Sequence, residues 1–355
     1  MPLDLFADVA DLTAAIVDVE SVSGGEKALA DAVEAALSVL PHLDVVREGN
    51  NVIARTGLGR GERVVLAGHL DTVPLNGNLP SRVEGDRLYG CGTSDMKSGV
   101  AVALRLAATV TEPNRDITYV FYECEEIEAE RNGLRLLAET RPELLQGDFA
   151  VLMEPTGGQI EGGCQGTIRV EVTARGERAH SARAWMGSNA IHTAGRILDV
   201  LRAYEPTQPV VDGLTYREGL NAVFIRGGIA GNVIPDECTV TVNYRFAPDK
   251  TLDEAEAYLR EVFAGFEVEV TDGSSAARPG LTHPAAAAFV ASVASDGAEV
   301  RAKLGWTDVA RFSELGVPAV NYGPGEPTLA HTKDEYVEIP LIGDCEERMR
   351  RWLTT

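Results

Sequence analysis

Three short apolar runs, each followed directly by a histidine or a carboxylate, constrain this chain most. Residues 63–68 lead into His69, residues 116–122 into Glu123-Cys124-Glu125-Glu126, and residues 149–153 into Glu154. Apolar runs of this length read as buried strands. Ahead of them, residues 24–40 are Ala-rich with helical spacing and Ser21 or Ser23 in position to cap, and between the first two, residues 98–110 read as an apolar helix. Strands alternating with helices predict an α/β fold, a sheet with helices on both faces.

The pattern changes near Gly166. Residues 167–173, 223–228, 238–246 and 266–270 read as strands, and 189–203 and 252–263 as helices. Their β-α-β-β-α-β order predicts a ferredoxin-like α+β unit. The α/β pattern then resumes to the end of the chain. At 355 residues the chain exceeds the roughly 250–300 at which single cores stop growing. We therefore expect one domain, residues 1–166 with 279–355, carrying a second, residues 167–278, as an insertion.

Charge narrows the partners. Lys and Arg total 32 against 54 Asp and Glu, a formal net charge of −22, which argues against nucleic acid and anionic membrane. No apolar run reaches the roughly 20 residues that span a bilayer, and the start lacks a basic and apolar leader, so the cytoplasm is the expected compartment. The five cysteines (91, 124, 164, 238 and 345) form no C-x-x-C pair and read as free thiols.

The candidate site grows from the strand ends. In Gly68-His69-Leu70-Asp71, residues two apart in extended chain point the same way, so Asp71 can reach the ring nitrogen of His69 that faces away from a metal. A surface turn is the plainer alternative. Asp95, in Gly92-Thr93-Ser94-Asp95-Met96-Lys97, precedes a helix and reads alone as an N-cap rather than a ligand. The acids of 123–126 would repel one another unless a cation or solvent separated them. Glu154 and His331, the latter in the turn-rich stretch 323–331, are weak signals singly. Together, His69, Asp95, Glu126, Glu154 and His331 offer two imidazoles and three carboxylates. That set suits Zn²⁺, Co²⁺ or Mn²⁺, and five ligands fit two ions sharing a bridging carboxylate.

These strings, in this order and across essentially the whole chain, resemble the M20 family of metallopeptidases and aminoacylases. The resemblance implies a zinc-peptidase-like catalytic domain with an inserted domain serving as dimerisation unit and lid. It implies that His69 and Glu154 hold one ion, that Glu126 and His331 hold the other, and that Asp95 bridges them. It gives Glu125 as the general base, a cis peptide after Asp95, and His180 as an oxyanion donor supplied across a homodimer, with Asn232 also delivered in trans. Where the family often has Asp before the paired glutamates, this chain has Cys124. Longer strings at 78–84, 161–166, 178–183, 212–221, 232–236 and 305–312 are similar to the branch that hydrolyses N-succinyl-LL-2,6-diaminopimelate. Such a small, multiply anionic N-acyl amino acid would need guanidiniums against the −22 field, and Arg183, Arg245 and Arg311 lie in matching segments.

Sister aminoacylases acting on substrates such as acetylornithine, and dipeptidases or carboxypeptidases of the family, would use the same metals and base. An inactive binding protein on this scaffold would be expected to lose ligands, yet all are present. A Cys–His hydrolase lacks a positively charged setting at Cys91 or Cys124.

Overall fold

A computed structural model of the protein describes residues 2–295 and 297–355. The chain divides into two compact units: one of Met1–Gly162, Pro279–Arg301 and Arg311–Thr355, the other of Gly163–Arg278 and Ala302–Ala310. The sequence reading set its boundaries at 166/167 and 278/279. The second unit starts slightly earlier, where Cys164 bridges Ala277 just ahead of the strand Gly166–Arg175, and also takes Ala302–Ala310.

The first unit is built on a mixed eight-stranded sheet. Its centre is four parallel neighbours in the order Asp116–Tyr122, Arg63–His69, Phe149–Leu152, Ala319–Asn321. Antiparallel strands flank them, among them the hairpin Asp44–Glu48 and Asn51–Arg55. Strands buried on both faces are continuously apolar rather than alternating, and Arg63–His69 follows this rule. Val64 and Leu66 join the cluster that includes the helix Ser98–Thr109, while Val65 and Ala67, equally buried, point to the opposite face. The helices Val9–Val17, Pro284–Ala294 and Ile339–Thr354 contribute to the same cluster. A small antiparallel sheet of Arg82–Glu84, Arg87–Tyr89 and Tyr336–Glu338 has strands too short to read from sequence.

The helix predicted over 24–40 runs Lys27–Ser38, and its N-cap is Glu26 with no side-chain capping bond. Ser21 donates instead to the Leu70 carbonyl at 2.7 Å, and Ser23 to Asp71 Oδ2 at 2.7 Å. Both hydroxyls serve the strand end that carries His69.

In the second unit four antiparallel strands lie in the order Gly219–Gly227, Glu237–Phe246, Gly166–Arg175, Glu267–Ser274. Two helices, Ala190–Ala203 and Leu252–Val262, complete the β-α-β-β-α-β order. Alternate residues Ile168, Val170 and Val172 face a core shared with Ala194, Ile197 and Leu259. Among the described residues, no helix is long and apolar enough to cross a membrane.

Candidate metal centre

Parallel strands present their carboxyl ends at one edge of a sheet, where loops can converge. Here all four central strands end in candidate ligands. His69 closes its strand, Glu123–Glu126 follow Tyr122, Glu154 follows Leu152 by two residues, and the 323–331 loop follows Asn321. Asp95 comes from the turn before the helix Ser98–Thr109, and the Asp95–Met96 peptide is cis. Asp95 is not the N-cap of that helix; Lys97 occupies the position. Two glycines permit the approach. A β-carbon at Gly99 would collide with the Met153 carbonyl oxygen, and one at Gly325 with that of Ser94.

The five residues form two overlapping donor sets. The donor atoms of His69, Asp95 and Glu154 all lie within 4.8 Å of one another, as do those of Asp95, Glu126 and His331. Asp95 belongs to both. Its Oδ1 is 3.2 Å from His69 Nε2 and its Oδ2 is 3.5 Å from His331 Nε2, which is 2.8 Å from Glu126 Oε1. Glu125 forms a further such group with His69 and Glu126.

Asp71 organises this arrangement more widely than its spacing from His69 suggested. The acceptor nearest His69 Nδ1 is the Asp71 carbonyl oxygen at 3.1 Å, with the carboxylate at 3.5 Å. The carboxylate also accepts from the main-chain N–H groups of Glu125 and Glu126, each at 3.0 Å. One buried residue thus orients a histidine and fixes the backbone of two glutamates. Burial alone would raise the Asp71 pKa, but His69, the Glu126 amide and Ser23 hold it below the usual value.

The electrostatics call for cations. Burial works against charge on His69, yet its bonds to Asp71 and Asp95 outweigh burial and raise its pKa well above normal. Bonds to Asp95 and Glu126 push His331 up to about 10. Burial opposes ionisation of Asp95, but the two histidines hold its pKa low. Positive charge is therefore favoured on each side of Asp95. A divalent ion at each place would supply it while the imidazoles stay neutral, and the all-N/O donors suit Zn²⁺-like ions. Metal binding must then displace protons. Because both imidazole pKa values are raised, ion uptake is expected to release protons at pH 7 and to weaken as pH falls. Calorimetry in buffers of different ionisation enthalpy measures that release, and pH-independent uptake without proton release would contradict it.

The remaining expected residues divide between the units. In the second, His180 pairs with Val233, and Ser181 donates its N–H to the Asn232 carbonyl at 2.9 Å, so the 178–183 and 232–235 strings meet. His180 Nδ1 accepts from the Ala182 N–H at 3.0 Å, leaving Nε2 as the donor. Arg183 is exposed. Arg245 is half-buried beside Arg169, and both burial and that second guanidinium lower its pKa. In the first unit, Arg311 Nη1 stands 3.4 Å from Glu314. All five cysteines are buried. Burial, with Glu26 adding to it, raises Cys124 to about 12, a poor setting for a nucleophile.

Two buried residues escaped the sequence reading. Lys97, its pKa drawn down to about 8 chiefly by burial, donates to the Val19 carbonyl at 2.9 Å. Glu335 accepts from the main-chain N–H groups of Gly92, Ser94 and Asp95 at 2.9, 2.8 and 3.0 Å. Burial pushes its carboxyl up to about 7 against those donors. It lies four residues beyond His331 in an acidic stretch with no periodicity to mark it.

The profile of peptidase family M20/M25/M40 matches residues 65–355. A Mycobacterium tuberculosis protein named putative succinyl-diaminopimelate desuccinylase DapE is 54% identical over 354 residues, covering 99% of each chain. A Corynebacterium glutamicum succinyl-diaminopimelate desuccinylase is 48% identical over 362 residues, covering 99% of this chain and 98% of the relative. The crystal structure of Bacillus subtilis YXEP, described as a dinuclear metal binding peptidase of the M20 family, superposes with a TM-score of 0.70 at 17% identity, over 98% of this chain and 97% of that one. The extent of the profile match and the two full-length relatives establish that the chain belongs to peptidase family M20/M25/M40.

Proposed function

We propose that the protein is a two-metal hydrolase that converts N-succinyl-LL-2,6-diaminopimelate and water to succinate and LL-2,6-diaminopimelate. The reading rests on Asp95, shared by two donor sets with Glu125 beside them, in a chain 54% identical to a relative carrying that activity in its name. His69 and Glu154 would hold one ion, Glu126 and His331 the other, and Asp95 would bridge them. Zn²⁺ is the first choice, with Co²⁺ or Mn²⁺ as alternatives.

When bound, such a pair polarises the scissile carbonyl and lowers the pKa of a water toward neutrality. Glu125 takes a proton from the attacking water, whose oxygen bonds to the succinyl carbonyl carbon. The amide C–N bond then breaks, and Glu125 returns the proton to the leaving nitrogen. Asp71 keeps Glu125 and Glu126 in place through their backbone amides. His180, with Nε2 as donor, stabilises the developing oxyanion of a partner copy, with Asn232 beside it. Arg245, half-buried and with no carboxylate in ion-pair distance among the described residues, is suited to a substrate carboxylate. Arg183 and Arg311 are the other candidates.

Delivery in trans requires a homodimer, and the second unit offers the surface. Gly219–Gly227 is an edge strand, and Val223, Phe224 and Ile225 are 46%, 72% and 54% exposed. An exposed apolar edge is a pairing template that proteins normally cover; a second copy would cover it. Phe224→Lys is expected to weaken the dimer by about 2 kcal/mol, roughly 30-fold in Kd. Sedimentation would detect the shift toward monomer, and an unchanged dimer would remove this edge from the interface.

The functional test is a substrate panel. Purified protein with added Zn²⁺ should cleave N-succinyl-LL-2,6-diaminopimelate far faster than N-acetylornithine or dipeptides. Fast cleavage of another member, with the first untouched, would overturn the substrate assignment while leaving the hydrolase intact.

A further inference from the structure

The turn that presents Asp95 is held from across the chain. Glu335 is 2% exposed, and its two carboxylate oxygens take three N–H groups of the turn: Oε2 that of Gly92, Oε1 those of Ser94 and Asp95. Its own carbonyl accepts from the Gly90 N–H at 3.1 Å. The next residue extends the seam. Tyr336 pairs with Tyr89 in the small sheet, and its carbonyl accepts from Ser94 Oγ at 2.7 Å. Ser94 Oγ in turn accepts from the Glu326 N–H at 3.1 Å. Glu335 therefore ties the 90–95 turn to the 323–335 loop, and that loop carries His331 in a left-handed backbone conformation, φ 62°.

The two donor sets depend on this tie unequally. His69 is the last residue of a central strand, and Glu154 comes two residues after another, next to Met153, whose N–H donates to the Ala67 carbonyl at 2.9 Å, so both are held from the sheet end. In that set only Asp95 hangs on the Glu335 seam. In the other set both Asp95 and His331 do, and only Glu126 is fixed independently, through Asp71. Outer-shell partners that orient ligands typically matter 10–100-fold for metal affinity.

We propose that Glu335 is a positioning residue that sets the spacing between Asp95 and His331 and so selectively governs occupancy of the Asp95–Glu126–His331 site. This rests on the two-ion reading above. Loss of the carboxylate frees three N–H groups in a buried turn and leaves it tied to the His331 loop only through the Gly90 N–H and the Ser94 hydroxyl. The Glu126–His331 ion then loses the geometry of two ligands, while the His69–Glu154 ion keeps two of three on the sheet.

The test titrates Co²⁺ into metal-free wild type and Glu335→Ala by calorimetry, with the visible absorption of bound Co²⁺ reporting each site. Wild type is expected to take up two ions. Glu335→Ala should weaken the second by about 10–100-fold and the first by less than about threefold. Glu335→Gln should fall between, because its amide oxygen can still accept from Ser94 and Asp95 while its NH₂ group meets the Gly92 N–H. If Glu335→Ala does not fold, Glu335→Gln decides alone, by the same unequal weakening. Equal weakening at both sites, or none at either, would overturn the proposal. Uptake of fewer than two ions by wild type would instead overturn the two-ion reading on which it stands.

Discussion

Glu125→Gln should abolish turnover and leave the metal content unchanged. The substitution keeps the side chain's size and removes its capacity to carry a proton, and general base catalysis is worth about 10²–10⁴-fold. Neither of the donor sets that share Asp95 includes Glu125, so two ions should remain bound. The bond from the residue 125 backbone N–H to Asp71 survives the change. The loss should therefore fall on kcat rather than on KM. Retention of more than a tenth of wild-type kcat would remove Glu125 from its role.

Asp95→Ala should be at least as severe, by another route. Asp95 is the sole residue common to both sets, and its two oxygens face one histidine each. Its removal leaves His69 with Glu154 on one side and Glu126 with His331 on the other. Two protein ligands are fewer than the three that catalytic zinc sites use. Both ions should be lost together, with a fall in affinity exceeding the roughly 10–100-fold cost of an outer-shell change. His331→Ala, which touches one set only, should retain about one ion. Elemental analysis after dialysis separates these outcomes, and an Asp95→Ala protein holding one tight ion would show that Asp95 is not shared.

Much of this was legible in the sequence because chemistry and periodicity coincide there. The run 63–69 is apolar because its strand is buried on both faces, and the histidine that ends it marks the carboxyl edge of the sheet. The same holds for 116–126 and 149–154. The ferredoxin-like order was readable because half-exposed strands such as Gly166–Arg175 alternate. What escaped was non-local. Ser23 has the composition of a helix cap, yet it bonds Asp71 forty-eight residues away. Glu335 sits in a charged stretch that resembles a solvated loop, and only the pairing of Tyr336–Glu338 with Arg87–Tyr89 carries it under the Asp95 turn. Asp71 was expected to orient His69, but the two backbone amides it also holds depend on a loop conformation that spacing does not encode. In the second unit, the juxtaposition of His180 with the 232–235 segment depends on a two-residue pairing with no alternation to signal it.

Two metal ions bridged by Asp95 would be visible in diffraction near the zinc absorption edge from crystals grown with Zn²⁺. Two anomalous peaks are expected about 3.5–4 Å apart, one against His69 and Glu154, the other against Glu126 and His331, with the Asp95 carboxylate between them. A single peak, or peaks away from these side chains, would contradict this arrangement.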